Sequence, residues 1–266
     1  MSPMREDFRE ILRLVKPGAR VLDVGCGEGE LLELLIREKG IDGQGLEIGQ
    51  AEVSACLARG LAVVQGDGDR DLDHFPTRAF DYAILSKTLQ QMREPRRALS
   101  ELLRIADRAI VSVPNFAHWR MRFSLMTRGR MPETRVLPDP WWSTANIHLC
   151  TLADFNDLAR DLGLKVEACA ALSGGRPARP IDPKGALENW RSETALFLLS
   201  RPLLSSGSQS SMALPSGSWM RAKRPVDGSS QAGSVRTSIP EARREARRSS
   251  MSSTRRLIMK ALSAAK

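Results

Sequence analysis

The sequence contains few cysteines and histidines, and neither set forms a metal-binding or disulfide pattern. Among the 266 residues are four cysteines and three histidines. No two cysteines form a C-x-x-C pair, and the histidines lack the spacing of metal ligands. We therefore expect reduced thiols, no metal site and a cytoplasmic protein. The cysteines are Cys26, Cys56, Cys150 and Cys169, and the histidines are His74, His118 and His148.

Long apolar runs are also absent. No window of about 18 residues is continuously apolar, so we expect no transmembrane helix and no membrane partner. The first ten residues, MSPMREDFRE, are charged and lack an apolar core, which predicts that they are not a secretory signal. Hydrophobic residues still make up 42% of the sequence, which is enough for one sizeable core.

The excess positive charge is confined to one end of the chain. The net charge is +9, and residues 203–266 hold 12 Lys or Arg against 3 Asp or Glu, so residues 1–202 hold 28 of each sign. Residues 203–266 are rich in serine and arginine and cannot bury enough apolar surface to fold, which predicts a disordered, solvated tail. The alternative is that the tail contacts nucleic acid or another acidic surface; elsewhere we expect no nucleic-acid binding.

Strand and helix patterns alternate through residues 1–202. This alternation predicts one α/β domain with a mostly parallel, seven-stranded sheet and helices on both faces. The last two strands are expected to form an antiparallel pair at one edge. Strands are predicted at residues 19–25, 41–48, 61–67, 79–86, 108–115, 165–172 and 193–201. Helices are predicted at residues 7–18, 29–40, 50–60, 94–106 and 151–164.

Two segments do not fit this alternation. Residues 115–150 are rich in proline and tryptophan, and they are predicted to form a long irregular loop of the lid or ligand-binding kind. Trp141 and Trp142 in this loop could hold a ligand or a partner, and packing of the loop itself is the alternative. Residues 173–190 are predicted to form a hairpin connection.

A glycine-rich turn follows the first predicted strand, in the stretch VLDVGCGEGELLELL at residues 21–35. Glycine lets the backbone adopt positive φ and lets a ligand approach closely, and the following helix offers free N–H groups. The spacing does not match the dinucleotide-binding pattern G-x-G-x-x-G, because the sixth position counted from Gly25 is Glu30. Acids at Asp23, Glu28 and Glu30 would also repel a pyrophosphate.

The turn instead favours a cationic ligand without phosphate. S-adenosylmethionine carries a sulfonium and an ammonium group, and Asp23 can receive the ammonium directly or through water. Glu47 closes the second strand and can accept both ribose hydroxyls, while Asp67 follows the third strand and can receive the adenine amino group. Acids after strands also cap helices or lie in solvent, but three in register favour a ligand.

Three further residues adjoin these acids in the predicted site. Cys26 lies inside the turn, where its small size explains its presence better than a nucleophilic role. Ile48 follows the second strand, and Ser86 lies at the end of the fourth. The predicted cofactor-binding residues are Asp23, Gly25, Cys26, Gly27, Gly29, Glu47, Ile48, Asp67 and Ser86.

The chain resembles two groups of known proteins. The stretch VLDVGCGEGELL, with Glu47 and Asp67, resembles the class I S-adenosylmethionine-dependent methyltransferases over residues 19 to about 200, which implies their Rossmann-like fold. The phrases ILSKTLQQMREP, VSVPNFAHWRMR and NIHLCTLADF resemble the methionine biosynthesis protein W (MetW) family. That resemblance implies a methyltransferase-like protein that binds S-adenosylmethionine or S-adenosylhomocysteine and has homoserine O-acyltransferase as its partner.

A catalytic base is less evident from the sequence. A methyl acceptor should lie over the ends of the fourth and fifth strands, where Asn115 and His118 are the candidates, since imidazole titrates near neutral pH. The alternative for His118 is packing beside Trp119. The N/D-P-P-Y tetrapeptide of many N-methyltransferases is absent. Because the family resemblance implies it and no strong base emerges, we favour an accessory protein that supports the acyltransferase over an active small-molecule methyltransferase with an unidentified acceptor.

Overall fold

A computed structural model describes residues 4–134, 137–173 and 177–202 of the chain. The prediction of a disordered tail at residues 203–266 lies outside these residues. The strands are β1 (Arg20–Val24), β2 (Asp42–Glu47), β3 (Ala62–Gln65), β4 (Phe80–Ser86), β5 (Ala106–Pro114), β6 (Lys165–Leu172), β7 (Arg179–Pro180) and β8 (Thr194–Ser200). The α-helices are α1 (Glu6–Leu14), α2 (Glu30–Lys39), α3 (Gln50–Ala58), α4 (Pro95–Ile105), α5 (Trp119–Arg128), α6 (Leu152–Asp161) and α7 (Ala186–Arg191).

The strands form a mostly parallel sheet in the order β3-β2-β1-β4-β5-β8-β6-β7. Strands β1 to β5 run parallel, and β8 is antiparallel to both β5 and β6. The predicted α/β fold and the antiparallel pairing of the last two long strands are therefore confirmed. The sheet has eight strands in place of seven, because Arg179–Pro180 pairs with the end of β6.

Each face of the sheet is covered by its own apolar core. Side chains of a strand alternate between the two faces, so Val21 packs in one core with Ile11 of α1. Leu22 packs in the other core with Leu99 of α4. Because Asp23 lies two residues after Val21, its side chain is directed to the face that α1 covers.

One part of the long irregular segment was wrongly predicted. Residues 119–128 form α5, which ends at Gly129 in the left-handed conformation (φ 61°). The run WRMRFSLMTR contains no proline or glycine, so it can form a helix, and the prolines that suggested a loop begin only at Pro132. In the predicted hairpin connection, β7 is followed by the short helix α7.

The parallel strands β1, β2 and β4 leave the sheet at the same edge, where the glycine turn joins β1 to α2. The turn adopts positive φ at Gly25 (71°), Gly27 (55°) and Gly29 (80°). At Gly29 the turn also packs closely on α3, since an added Cβ would meet Leu61 Cδ1 and lie 2.9 Å from Cys56 Sγ. Both the dihedral angle and the packing require glycine there.

A glycine substitution should separate these two requirements. Gly60 also has positive φ (74°), but an added Cβ would meet no atom within 4 Å. We expect Gly60→Ala to lower the free energy of unfolding by about 1 kcal/mol and Gly29→Ala by about 2–4 kcal/mol, because only Gly29 adds a clash to the strain. Urea denaturation of both variants measures the difference, and equal losses would contradict the packing argument.

Candidate functional site

The carboxyl ends of β1, β2 and β4 open on a cavity of about 470 Å³. That volume lies in the range of small-molecule sites. Five of the predicted cofactor residues line the cavity, namely Gly25, Glu47, Ile48, Asp67 and Ser86. Other lining residues include Arg5, Asp69, Lys87, Thr88, Arg93 and Ile147. Ile147 shows that the proline- and tryptophan-rich segment reaches this cavity.

Asp23 is a buried carboxylate at the end of β1, only 2% exposed. Among the described residues, no hydrogen bond to its side chain is formed. Burial raises the pKa of Asp23 to about 7, although the positive charge of Arg5 opposes this and Glu47 adds to it. Among the described residues, the site therefore contains an acid that has no hydrogen-bonding partner and is only partly compensated by the charge of Arg5. Such burial is costly unless a ligand supplies a partner.

A second group of charges connects α1 to the cavity. Arg5, which lines the cavity, makes a two-pronged ion pair with Asp7 (3.2 and 2.6 Å). Ser86 Oγ donates to Asp7 at 2.9 Å. Burial alone would raise the pKa of Asp7, but Arg5, Lys87 and Ser86 outweigh that effect and lower it. Asp7 is thus ionised at neutral pH and holds Arg5 at the cavity.

Glu47 ties the glycine turn to the end of β2. One carboxylate oxygen accepts from Gly27 N–H at 2.8 Å, and the other accepts from Ile48 N–H and Gly49 N–H at 2.9 and 3.0 Å. A carboxylate offers about four acceptor positions. One position is therefore left for a ligand, and a second becomes free only if a backbone donor is released.

Two aspartates after β3 have different roles in the local structure. Asp69 accepts from Arg93 N–H at 3.0 and 2.9 Å and from Glu94 N–H at 3.3 Å, at the start of α4. Asp67 accepts from Asp69 N–H at 2.9 Å. Its side chain is 30% exposed, with its second oxygen 3.8 Å from Arg70. Asp67 is therefore the more available of the two acids.

The other predicted cofactor residues support the turn without lining the cavity. Asp23, Cys26, Gly27 and Gly29 are not among the cavity-lining residues. Cys26 Sγ lies 4.0 Å from Cys56 Sγ. Burial raises the pKa of the Cys26 thiol, so the thiol is protonated at neutral pH. This arrangement agrees with a packing role for Cys26.

The two candidates for catalysis lie away from this cavity. Asn115 is buried; its amide donates to Asn189 O and Ser192 O at 2.7 and 2.8 Å, and its oxygen accepts from Ala117 N–H at 3.0 Å. His118 precedes α5 and is 6% exposed, with its ring 5.8 Å from that of Trp119. Burial lowers the pKa of His118, so its ring is neutral at pH 7.

Sequence reasoning missed Arg5 and Asp7. The only available signal was the charged stretch MREDFRE before the first strand, read as an ordinary amphipathic helix start. Arg5 lines the cavity because Asp7, on α1, meets Ser86 at the end of β4 and holds the Arg5 guanidinium there. Nothing in the local pattern of charges distinguishes that arrangement from a solvated helix face.

The sequence of the chain matches that of a known protein family over most of residues 1–202. The model of the methionine biosynthesis protein MetW family matches residues 5–199. The chain belongs to the MetW family. A curated relative, the bifunctional methionine biosynthesis protein MetXA/MetW of Rhodopirellula baltica, is 34% identical over 170 residues, which are 60% of this chain and 27% of the relative. The chain thus spans about a quarter of that relative's length.

Solved structures agree on the fold of this MetW-family chain. A SAM-dependent methyltransferase from Thermotoga maritima, a possible histamine N-methyltransferase, has a TM-score of 0.54 at 16% identity and covers 74% of this chain and 88% of that one. The cyclase SpnF has a TM-score of 0.51 at 19% identity and covers 74% and 81%. The predicted Rossmann-like methyltransferase fold is confirmed.

Within residues 4–134, 137–173 and 177–202, no helix is both long and apolar enough to cross a membrane. The same ranges contain no cluster of three or more His, Cys, Asp or Glu side chains placed to hold a metal ion.

The buried Asp23 predicts an unusual pH dependence of stability. Because its pKa rises from 3.8 to about 7 on folding, the folded protein retains a proton that the unfolded chain loses, and stability falls as pH rises between these values. We expect Asp23→Asn to remove this loss, so that the variant gains up to about 4 kcal/mol relative to wild type between pH 4 and pH 8.

Urea denaturation across this pH range tests the expectation. Asp42→Asn is the matched control, since Asp42 is an exposed acid at the opposite end of β2. A difference between Asp23→Asn and wild type that stays constant with pH would show that Asp23 titrates normally.

Proposed function

We propose that the chain binds S-adenosylmethionine or S-adenosylhomocysteine and uses this occupancy to support a homoserine O-acyltransferase in methionine biosynthesis. The observation that supports this ligand is the buried carboxylate of Asp23 at the end of β1, which has no hydrogen-bonding partner among the described residues. Asp23 directly precedes Val24 and Gly25, which line the cavity. An ammonium group is the partner that compensates such a charge best. Membership of the MetW family supports a role in methionine biosynthesis. The methyltransferase-like fold supports S-adenosylmethionine or its demethylated product as the ligand.

The charges around the site suit the zwitterionic end of this ligand. The ammonium is assigned to Asp23 and the carboxylate to Arg5, which Asp7 and Ser86 hold at the cavity. Acidic and basic side chains both line the cavity, so neither a phosphate-rich nor a purely cationic ligand matches it as well. When bound, S-adenosylmethionine would supply an electrophilic methyl group.

The nucleoside end is assigned to the two remaining strand-end acids. Glu47 has one free acceptor position for a ribose hydroxyl, and binding both hydroxyls requires release of one of its backbone donors, for example Gly27 N–H. Asp67 is available for the adenine amino group. Ile48 is 64% exposed beside Glu47 and can cover an apolar face of the ligand.

The position of the catalytic candidates favours the accessory role over methyl transfer. Both amide hydrogens of Asn115 are already used to hold the α7 region. His118 is a neutral ring packed beside Trp119 and does not line the cavity. Methyl transfer to an acceptor that must lose a proton requires a base within hydrogen-bond reach of that acceptor. Neither residue is placed to act as that base at this cavity.

The proposed partner is supported by the curated relative, whose name joins MetXA to MetW in one bifunctional protein. Fusion of two activities in one protein favours association of the separate chains elsewhere. S-adenosylmethionine contains the methionine skeleton, so a protein that binds it can report the supply of the pathway's product. We infer that the acyltransferase is the protein whose activity this occupancy changes.

Ligand binding should depend on the ionisation of Asp23. Because the carboxyl must lose its proton to receive an ammonium, we expect the affinity for S-adenosylmethionine to fall about tenfold per pH unit below pH 7. Asp23→Asn should bind at least about tenfold more weakly and lose this pH dependence. Isothermal titration calorimetry from pH 5.5 to 7.5 measures both effects.

Asp42→Asn should behave as wild type in the same titration. Calorimetry in two buffers of different ionisation enthalpy should also show release of a proton on binding to wild type near pH 6. Unchanged affinity in Asp23→Asn would sink the assignment of the ammonium to this residue.

The accessory role leads to a separate prediction about the rate of the acyltransferase. The homoserine O-acyltransferase of the same organism should show a higher rate when the full chain is added, and the added rate should change with S-adenosylmethionine. Mass spectrometry of the same mixtures detects S-adenosylhomocysteine. If the acyltransferase rate is unaffected by the chain, while a pathway metabolite is methylated, the protein is an active methyltransferase.

A further inference from the structure

Helix α5 exposes an apolar stripe that its own fold does not cover. Trp119, Phe123 and Met126 are 39%, 57% and 78% exposed. Their spacing of four and three residues places them on one side of the helix. Met121, 3% exposed, faces the core instead. Helices of globular domains normally turn their apolar stripe inwards, so an outward stripe of large side chains marks an interaction surface.

Helix α7 extends this stripe. Leu187 and Trp190 lie three residues apart on α7 and are 57% and 45% exposed. The rings of Trp190 and Trp119 lie 6.2 Å apart. The two helices thus present one surface, the α5–α7 face, formed by Trp119, Phe123, Met126, Leu187 and Trp190.

The α5–α7 face is held in place before any partner arrives. Asn115, at the end of β5, donates to the backbone carbonyls of Asn189 and Ser192 at 2.7 and 2.8 Å. These bonds fix the end of α7 beside the chain that enters α5. Surfaces that are rigid before binding lose less conformational entropy when a partner docks, and tryptophan is the residue most enriched among energetically dominant contacts.

The charges around α5 indicate the chemistry of the partner. Residues 117–132 contain four arginines and no acid. In the described part of the chain, none of these four forms an ion pair, although Arg122 donates to Ala117 O and Arg120 lies over the Trp119 ring. By contrast, Arg104 pairs with Glu101 and Arg108 with Glu167. The arginines of the α5 segment are Arg120, Arg122, Arg128 and Arg130.

Unneutralised arginines beside an apolar stripe complement an apolar patch with an acidic rim. We propose that the α5–α7 face is the docking surface for the homoserine O-acyltransferase, and that the contact surface of this enzyme is apolar at its centre and acidic at its edge. This inference rests on the proposed function for the identity of the partner. Because two helices form the face, its surface is uneven. An uneven surface fits a protein partner better than a flat membrane.

Binding measured by surface plasmon resonance between the full chain and the acyltransferase of the same organism tests the inference. We expect Phe123→Glu and Met126→Glu each to weaken binding at least about tenfold, because each places an acid against an apolar, acid-rimmed surface. Both side chains are exposed, so the fold should be kept, and circular dichroism checks this. Leu57→Glu is the matched control, since Leu57 on α3 is 58% exposed, as Phe123 is at 57%, and lies outside the α5–α7 face.

Charge is tested separately. Arg128→Glu should slow association several-fold at low salt, and the difference from wild type should shrink at high salt. If Arg128→Glu associates as fast as wild type at low salt, the acidic rim is refuted.

The outcomes distinguish this inference from the proposed function. If wild type does not bind the acyltransferase, the proposed function fails. If wild type binds but Phe123→Glu binds equally well, only the docking surface is wrong. The docking surface is also wrong if Leu57→Glu weakens binding as much as Phe123→Glu does. Sedimentation with vesicles of equal parts phosphatidylcholine and phosphatidylglycerol tests a membrane: Phe123-dependent vesicle binding without an effect on the acyltransferase overturns the proposal.

Discussion

The site depends on one unfavourable arrangement, a carboxylate buried at the end of β1 without a hydrogen-bonding partner among the described residues. Burial raises the pKa of Asp23 to about 7, so at neutral pH the free protein is close to equal populations of charged and neutral acid. Natural sequences keep such costs mainly where a ligand removes them. Asp23 directly precedes Val24 and Gly25, which line the cavity, so its burial favours a ligand that brings positive charge to this end of the cavity.

The other polar groups organise the site around this acid. Glu47 anchors the glycine turn through Gly27 N–H, and Asp7 anchors Arg5 and Ser86. Both carboxylates are held by protein donors and position backbone and side chains, and Glu47 keeps one acceptor position for a ligand. Among the described residues Asp23 has no such donor, which is why its pKa is raised by burial while that of Asp7 is lowered.

Sequence patterns predicted those features of the fold and the site that depend on contacts between residues close in sequence. The parallel sheet, the glycine turn and the strand-end acids follow from periodicity and from glycine spacing within short stretches. The patterns were insufficient where contacts are distant in sequence: Ser86 meets Asp7 across 79 positions, and Arg5 could not be recognised as a cavity residue. Helix α5 was not predicted, because the prolines from Pro132 onwards favoured an irregular loop for the whole segment. Asn115 and His118 were expected at the cavity from their strand-end position, but the chain turns towards α7 there.

The fold alone does not decide between catalysis and regulation, since the cyclase SpnF shares it. The cavity and the α5–α7 face are linked by a short path. Lys87, which lines the cavity with positive φ (61°), donates its N–H to Ser112 Oγ at 2.7 Å. Ser112 lies on β5 three residues before Asn115, which holds the end of α7. These contacts join the β4 exit to the residues that position α7, and they give cavity occupancy a physical route to the proposed docking surface.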